Sequence, residues 1–233
     1  MKTRLQIAAE KAVLKCAGFK EENLLIIHDE NSIKIAKALI DVGKKHGKVT
    51  MYNLDKRPAA FSEKLKGLLA QADVCFFLCR SVEGELMQLR RPLRIFAYSH
   101  KVRYIHMPNI TDDIFADSVG VDYDKIWHFT EKLRRVVEKL KWFRITSESG
   151  TNLLIRSQSK WITSDGDFRR FTTEKLNLPG AEIFTCPDRV EGIAVINSLL
   201  GGIFTRKYGM LTKNPVVIQI RGCRAISVRC KNK

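Results

Sequence analysis

One segment of the sequence combines a turn, an acidic side chain and an apolar strand, and it is the first candidate for chemistry. It reads NLPGAEIFTCP from Asn177 to Pro187. A turn at Pro179-Gly180 leads into a strand that Pro187 ends. Glu182 enters that strand beside apolar neighbours, so its carboxylate either faces solvent or is held by a partner for a purpose. The local pattern favours the solvent-facing alternative.

Other acidic and imidazole side chains offer weaker candidates for acid–base or metal chemistry. His28 and Asp29 follow an apolar run, at the kind of strand end where open α/β sheets bind ligands. A turn that ends the strand explains them as well. Asp165 and Asp167 form an Asp-Gly-Asp turn. Because no histidine belongs to an HExxH or other short metal-binding pair, the spacing indicates no metal site.

Motifs for nucleophilic catalysis and for nucleotide binding are absent from the sequence. Ser147, Ser149 and Ser164 lie in turn-rich segments, and none belongs to a GxSxG elbow. The first apolar strand runs into HDENSI, which lacks the glycines of a dinucleotide-binding turn, and no P-loop pattern occurs. The two acids at that turn would repel a pyrophosphate, so dinucleotide binding is not expected.

The first 141 residues alternate short apolar strands with amphipathic helices. Strands are predicted at 23–28, 49–54, 74–79 and 103–107, and helices at 3–18, 32–46, 62–69, 89–100 and 122–140. This alternation predicts a parallel sheet covered on both faces. Residues 1–141 are therefore predicted to be a doubly wound, Rossmann-like α/β domain. The residues expected to face inward on the last helix are Ile126, Phe129, Leu133, Val136, Val137 and Leu140.

After Trp142 the pattern changes to short strands separated by glycine-rich and proline-containing turns. Strands are predicted at 144–147, 152–156, 182–186, 192–196, 216–220 and 225–229. Residues 142–233 are therefore predicted to form a β-rich, mostly antiparallel domain.

Six cysteines are present: Cys16, Cys75, Cys79, Cys186, Cys223 and Cys230. Without a CxxC pair, all six are predicted to be buried, reduced thiols. No apolar run approaches the roughly 18 residues that span a membrane, and the first 15 residues lack the apolar centre of a signal peptide. We therefore expect a soluble cytoplasmic protein.

The chain is strongly basic, with 41 Lys and Arg against 25 Asp and Glu, a net charge of +16. Residues 1–141 contain 26 basic and 18 acidic side chains and the remainder 15 and 7, so each part carries +8. Such a charge attracts nucleic acid or acidic partners, but it can equally reflect the proteome of the source. The run Leu89 to Arg94 could meet phosphate, with a solvated helix face as the alternative.

The segment at 177–187 resembles the family of metal-dependent aminopeptidases related to thermophilic aminopeptidase T and staphylococcal aminopeptidase S. Members of that family carry Asn-Leu-Pro, a small residue, Gly-Glu-Val-Phe-Thr, a small residue and Pro, and later Glu-Gly. The matching residues are Asn177, Leu178, Pro179, Glu182, Phe184, Thr185 and Pro187. Gly180-Ala181 replaces the small residue and Gly. Gly150-Thr151-Asn152-Leu153 resembles the family's Gly-Thr-Asp-Leu, and Asp165-Gly166-Asp167 falls at its acidic loop.

The resemblance implies an enzyme that removes N-terminal amino acids from peptides with two divalent metal ions (zinc, cobalt or manganese), and that packs as a homodimer. The family's metal ligands lie in its carboxy-terminal half, beginning at a Glu-Leu-Gly-Ile-Gly-Thr-Asn type motif that does not occur up to Lys233. No catalytic residue or metal ligand can therefore be assigned to this chain. The chain is expected to correspond to the amino-terminal portion, with an incomplete second domain and no activity alone.

Three explanations for the missing metal-ligand motif stay open: the chain is a fragment, a split-gene product or a relative that has lost catalysis. Asn177, Pro179, Gly180 and Glu182 are the residues that the resemblance places at the substrate cavity. A relative in the wider group opens a hydroxylated pyridine ring with a single iron, and the sequence does not separate that chemistry from peptide hydrolysis. The alternative function is a non-catalytic module that binds nucleic acid or an acidic partner.

Overall fold

The computed structural model describes residues 2–54, 56–168 and 175–230. Within them the chain forms two compact units. Unit 1 comprises Met1–Thr130 and Ser164–Glu182, and unit 2 comprises Glu131–Thr163 and Ile183–Lys233. The described residues 164–168 and 175–182, which belong to the second region of the sequence, thus pack within unit 1. The division into domains at residue 141 stays a prediction.

Twelve strands are present in the described residues. They are β1 (Asn23–His28), β2 (Lys48–Asn53), β3 (Val74–Phe77), β4 (Arg103–His106), β5 (Trp142–Thr146), β6 (Asn152–Arg156), β7 (Ile162–Ser164), β8 (Lys175–Asn177), β9 (Glu182–Phe184), β10 (Arg189–Ile196), β11 (Val216–Arg221) and β12 (Arg224–Arg229).

The helices of the described residues are short except for one. They are α1 (Arg4–Glu10), α2 (Ile33–Gly43), α3 (Glu63–Ala70), α4 (Arg91–Ser99), α5 (Asp112–Ile114), α6 (Tyr123–Val137) and α7 (Gly202–Tyr208). π-helical turns extend α1 over Lys11–Cys16, precede α4 over Leu86–Arg90 and follow α5 over Phe115–Val119. Within the described part of the chain, no helix is both long and apolar enough to cross a membrane.

Unit 1 is built on a parallel sheet with the strand order β2-β1-β3-β4-β8. The neighbours pair in parallel, with Ile26 opposite Met51 on one side and Phe76 on the other. Every residue of β3, and every residue of β1 after Asn23, is buried. Because side chains alternate across a strand, Phe76 belongs to one core and Phe77 to the other, on opposite faces of the sheet. This confirms the predicted α/β fold.

Helices cover both of these faces. The core that contains Phe76 includes apolar residues of α1 and α2, and the core that contains Phe77 includes Leu65 of α3 and Leu93 of α4. Two helix starts follow from the sequence: the hydroxyl of Ser62 accepts from Leu65 N, and that of Thr111 accepts from Ile114 N. These side chains satisfy backbone N–H groups that a helix start leaves unpaired.

Unit 2 contains an antiparallel sheet with the order β12-β11-β10-β6-β5, and β7 and β9 form a separate two-stranded sheet. Gly192 of β10 has φ +122°, and a Cβ at this position would lie 2.1 Å from the carbonyl oxygen of Asn152 on β6. Only glycine fits this close approach of two strands. The predicted β-rich second part is therefore confirmed.

Two expectations of the sequence are wrong in detail. The short strand β8 joins the parallel sheet beside β4, although no strand was predicted at 175–177. The inward face predicted for α6 is largely exposed: Phe129 is 68% exposed and Val136 53%, and Leu133 and Leu140 are exposed as well. Helical periodicity predicts which side chains share a face, but it does not supply an element to cover that face.

Candidate functional site at the carboxyl edge of the parallel sheet

The carboxyl ends of β1, β3 and β4 meet at one edge of unit 1. The chain leaves β1 toward β2 on one side and leaves β3 toward β4 on the other, so the neighbouring strands β1 and β3 form a topological switch point. Open α/β sheets bind ligands in the crevice outside such a point. A cavity of about 480 Å³ lies at this edge, and its polar lining includes Asn31, Arg80, Asn109 and Asp112.

Asp29 is the centre of the hydrogen bonding at this edge, as the first residue after β1. Its side chain is buried, and Oδ2 accepts from the backbone N of Arg80 at 2.8 Å and from Nη1 of Arg57 at 3.1 Å. Oδ1 accepts from the backbone N of Asn31 at 3.1 Å. The carboxylate therefore ties the end of β1 to the loops that follow β2 and β3.

Arg57 links Asp29 to a second buried carboxylate. Nε donates to Oε1 of Glu85 at 2.5 Å, and Nη2 pairs with Oε2. Glu85 is fully buried, and it also accepts from the backbone N of Ala59 at 2.5 Å. Burial acts to lower the pKa of Arg57, but the hydrogen bond with Glu85 and the neighbouring negative groups outweigh it, so the pKa is raised.

The two arginines at this edge of the sheet are both paired with carboxylates. The buried groups are two carboxylates and one guanidinium, and the guanidinium is already committed to both carboxylates. The more exposed side chain of Arg80 pairs with Glu30 at 3.4 Å. Among the described residues, Arg57 and Arg80 thus pair with acidic side chains. The expectation that this switch point is not a dinucleotide site stays a prediction.

His28 lies beside the network without entering it. The ring is buried, and Nδ1 lies 3.1 Å from the carbonyl oxygen of Asp29. Nε2 is buried and has no hydrogen-bond partner in the part of the chain that the structure describes. Of the predicted pair, Asp29 is thus the hub of the contacts, and His28 packs behind it.

The predicted cavity residues Asn177, Pro179, Gly180 and Glu182 lie in the segment that links β8 to β9. Asn177 ends β8 opposite His106 of β4, with Oδ1 3.4 Å from the Nδ1 atom of that histidine. A Cβ on Gly180 would lie 2.5 Å from the carbonyl oxygen of Asn177, so this turn requires glycine. Glu182 is exposed and forms no ion pair with another described residue. The structure brings Asn177 to β4 and leaves Glu182 facing solvent.

The Asp165-Gly166-Asp167 turn is buried in unit 1. Both carboxylates are fully buried, and Oδ1 of Asp165 accepts from the backbone N of Asp167 at 3.0 Å. Gly166 has φ +87°, and a Cβ at this position would lie 2.5 Å from the ring of Tyr123. Burial, and then the neighbouring Cys16 and Asp165, raise the pKa of Tyr123. The acidic loop is thus a packed turn of the fold.

These acidic and imidazole groups do not fit the two-metal centre that the family resemblance implies. No three His, Cys, Asp or Glu side chains among residues 2–54, 56–168 and 175–230 lie together as a metal site would require. Asp165 and Asp167 belong to no such group of three in that part of the chain. No reaction step through a metal is therefore assigned to these residues.

The six cysteines divide into two sets, which corrects the prediction that all are buried. Cys16, Cys75 and Cys79 are buried free thiols, whereas Cys186, Cys223 and Cys230 are exposed free thiols. Burial raises the pKa of Cys75 and Cys79, so both stay protonated and unreactive at neutral pH. The apolar run VCFFLC predicts the buried thiols of Cys75 on β3 and Cys79 just after it. The exposed cysteines lie outside the strands, Cys223 in a turn and Cys186 and Cys230 just beyond strand ends.

Sequence reasoning missed Arg57 and Glu85, which complete the network around Asp29. Arg57 lies after β2 and Glu85 follows β3, so 28 residues separate the two partners. A single arginine and a single glutamate in different loops form no sequence motif that would predict their contact. Only the parallel strand order, which places both loops at one edge, could have brought them together.

The comparisons with known proteins support the fold. No family model and no curated protein matches the sequence. The structure of AmpT from Thermus thermophilus, an aminopeptidase, aligns with a TM-score of 0.62 at 13% identity. The alignment covers 98% of this chain and 72% of the AmpT chain. YbdL from Escherichia coli, described as having a methionine aminotransferase function, aligns at 15% identity over 44% of this chain and 26% of its own, with a TM-score of 0.28, too low to indicate a shared fold.

The chain thus has an aminopeptidase-like fold along its described length. At 13% identity this likeness concerns the fold alone.

Proposed function

We propose that this chain is the amino-terminal region of a metal-dependent aminopeptidase, which removes N-terminal amino acids from peptides. The observation that carries the proposal is the likeness to AmpT over 98% of the chain. The resemblance of the segment 177–187 supports it independently, because that match rests on residue types and not on the fold. In this proposal the two divalent metal ions are bound outside the described part of the chain, and the enzyme works in the cytoplasm as a homodimer.

The contribution proposed for this chain is a wall of the substrate cavity. The segment from Asn177 to Glu182 has the required character: Leu178 is buried and anchors it, while Asn177, Pro179 and Glu182 stay exposed. Gly180 makes a close approach to the backbone of Asn177 and fixes the turn between them. We assign Glu182 to substrate contact, since its carboxylate is not committed to a described cation and could meet the ammonium group of a peptide.

The proposal is tested by assaying amino-acid anilides with added zinc, cobalt or manganese. The 233-residue chain is compared with the longest polypeptide that its gene encodes. We expect turnover that a chelator abolishes in a longer form, and none from the 233 residues alone. Glu182→Ala is expected to lower kcat/KM about tenfold in the active form, whereas Glu148→Ala, at an exposed glutamate of a different turn, leaves it unchanged.

Two outcomes would contradict the proposal. Absence of turnover in both the short and the longer polypeptide with every metal would contradict the proposed aminopeptidase activity. Chelator-sensitive turnover by the 233 residues would contradict the location proposed for the metal ligands while supporting the activity.

A second candidate is a non-catalytic module for nucleic acid or an acidic partner. The observation that favours it is the net charge of +16. Binding of an oligonucleotide that weakens steeply between about 50 and 200 mM salt would support this candidate, because phosphate contacts release counterions.

A further inference from the structure

A second cavity lies on unit 1, beside β4 and the start of α4. It has a volume of about 430 Å³, within the range of small-molecule sites, and it is formed by the start of α4 with its preceding π-helical turn and by β4. Three arginines of the basic run line it: Arg90, Arg91 and Arg94. Tyr104 and His106 of β4 line it as well. The run that sequence analysis weighed as a solvated helix face thus lines a concave surface.

The charge of this cavity is not neutralised by neighbouring acids. In residues 2–54, 56–168 and 175–230, none of the three guanidinium groups forms an ion pair with a carboxylate. Arg90 donates from Nη1 to the hydroxyl of Ser81, and Arg91 donates weakly to the sulfur of Met87 at 3.8 Å. Both partners are neutral, so the three positive charges remain available to an anion.

Two buried polar groups at the cavity lack an acceptor. The hydroxyl of Tyr104 has no hydrogen-bond partner in the described residues, although the side chain is only 1% exposed. Nε of Arg90 is buried and equally unpartnered within them. Such groups are rare in folded proteins because an unmade hydrogen bond costs free energy. Both groups belong to residues that line the cavity.

The chemistry of the lining selects among anions. Three guanidinium groups suit a phosphate group, which carries close to two negative charges and several acceptor oxygens, better than a singly charged carboxylate. Leu86 and Met87 also line the cavity, and both are largely exposed apolar side chains. Their position favours a ligand whose body beyond the phosphate is apolar or aromatic. The cavity is too small for a nucleic-acid duplex.

We infer that this cavity binds a small organic phosphate, with the phosphate group held by Arg90, Arg91, Arg94 and the hydroxyl of Tyr104. The inference is independent of the proposed aminopeptidase function, since the metal ions and the segment 177–182 take no part in it. His106, which lies 3.4 Å from the side chain of Asn177, forms the end of the cavity at β4.

The experiment is calorimetric titration of the 233-residue chain at about 50 mM salt. The probes are phenyl phosphate, inorganic phosphate, benzoate and a single-stranded oligonucleotide. We expect phenyl phosphate to bind more tightly than inorganic phosphate and benzoate. Arg94→Gln is expected to weaken that binding roughly tenfold, because a charged hydrogen-bonding partner is lost. Arg135→Gln removes the same charge from an exposed site on unit 2 and should leave binding unchanged.

The variant Tyr104→Phe distinguishes a role of the hydroxyl in ligand binding from a role in the stability of the fold. Because the hydroxyl has no described partner, its removal should not lower the midpoint of chemical unfolding, yet it should weaken phenyl phosphate roughly tenfold. No binding of phenyl phosphate, or equal loss in Arg94→Gln and Arg135→Gln, would overturn the inference. So would binding of the oligonucleotide alone, which would indicate a nucleic-acid surface in its place. A lower unfolding midpoint for Tyr104→Phe would overturn the assignment of this hydroxyl to the ligand, because it would show that the hydroxyl stabilises the fold.

Discussion

The guanidinium of Arg57 donates from Nε to Oε1 of Glu85 at 2.5 Å, and both side chains are almost completely withdrawn from solvent. The same guanidinium pairs with Asp29 at the end of β1. One cation thus serves two buried carboxylates at the switch point of the sheet. This arrangement ties the loops that follow β2 and β3 to the end of β1.

Arg57→Met is expected to destabilise the protein strongly. It leaves Asp29 and Glu85 buried without their cation, and breaking a buried pair in this way costs about 3–5 kcal/mol. Urea unfolding measures the loss. Arg135→Met, at an exposed arginine, serves as the control and should stay within about 0.5 kcal/mol. A loss below about 1 kcal/mol for Arg57→Met would show that the two carboxylates do not depend on it.

Gly192→Ala is expected to disrupt the antiparallel sheet of unit 2. The new Cβ would lie 2.1 Å from the carbonyl oxygen of Asn152 at a φ of +122°, so both the contact and the backbone are unfavourable. The free energy of unfolding, measured with urea, is expected to fall by at least about 2 kcal/mol. Gly67→Ala in α3 is the control, because a Cβ there meets open space and a helix gains about 0.5–1 kcal/mol from the exchange. Similar stabilities for the two variants would contradict the pairing of β10 with β6.

Thiol titration should distinguish the two sets of cysteines. With a disulfide reagent at neutral pH, we expect three thiols to react quickly in the native protein: Cys186, Cys223 and Cys230. Cys75 and Cys79 should react only on unfolding, because burial prevents access and raises the pKa of each thiol. Mass spectrometry of the labelled protein assigns the sites. Fast labelling of Cys75 or Cys79 would contradict the burial of β3 and of the residues that follow it.

Glu131 on α6 should titrate below an ordinary glutamate. The hydrogen bond from Arg134 lowers the pKa of Glu131 from its ordinary value of 4.5, since it favours the charged carboxylate. The stability that this pair contributes is therefore fully present above pH 4.5 and is lost as pH falls through the lower folded pKa. Carboxyl NMR titration should show the pKa rising in Arg134→Gln and staying lowered in Lys132→Gln. An unchanged pKa in Arg134→Gln would contradict the assignment.

The sequence predicts much of the fold because local patterns of apolar residues specify its strands and helices. The apolar runs that contain Ile26 and Phe76 predict buried parallel strands, and both are buried strands of one sheet. β8 escaped prediction because three residues are too few to show a period, and its place beside β4 depends on pairing across about 70 residues. The prediction of a buried face on α6 is wrong for a related reason. Phe129 follows the helical period, but no described element covers it.

The candidate sites are less predictable than the fold, because they are assembled from distant loops and strands. Asp29 is visible as an acid at a strand end, but its partner Arg57 is not. The basic run that includes Arg94 is visible in the sequence, whereas its position over Tyr104 depends on how α4 packs against β4. Tyr104 lies in the run Arg103–His106, where the sequence predicts only a core aromatic residue.

Product analysis of a peptide digest tests the proposed aminopeptidase function most directly. A decapeptide with a free N-terminus and the same peptide with an acetylated N-terminus are incubated, with zinc, cobalt or manganese, with the longest polypeptide that the gene encodes. Mass spectrometry follows the masses of the products. The account predicts stepwise loss of single residues from the free N-terminus and no change in the acetylated peptide. Internal cleavage of both peptides, or an intact free peptide with every metal, would contradict it.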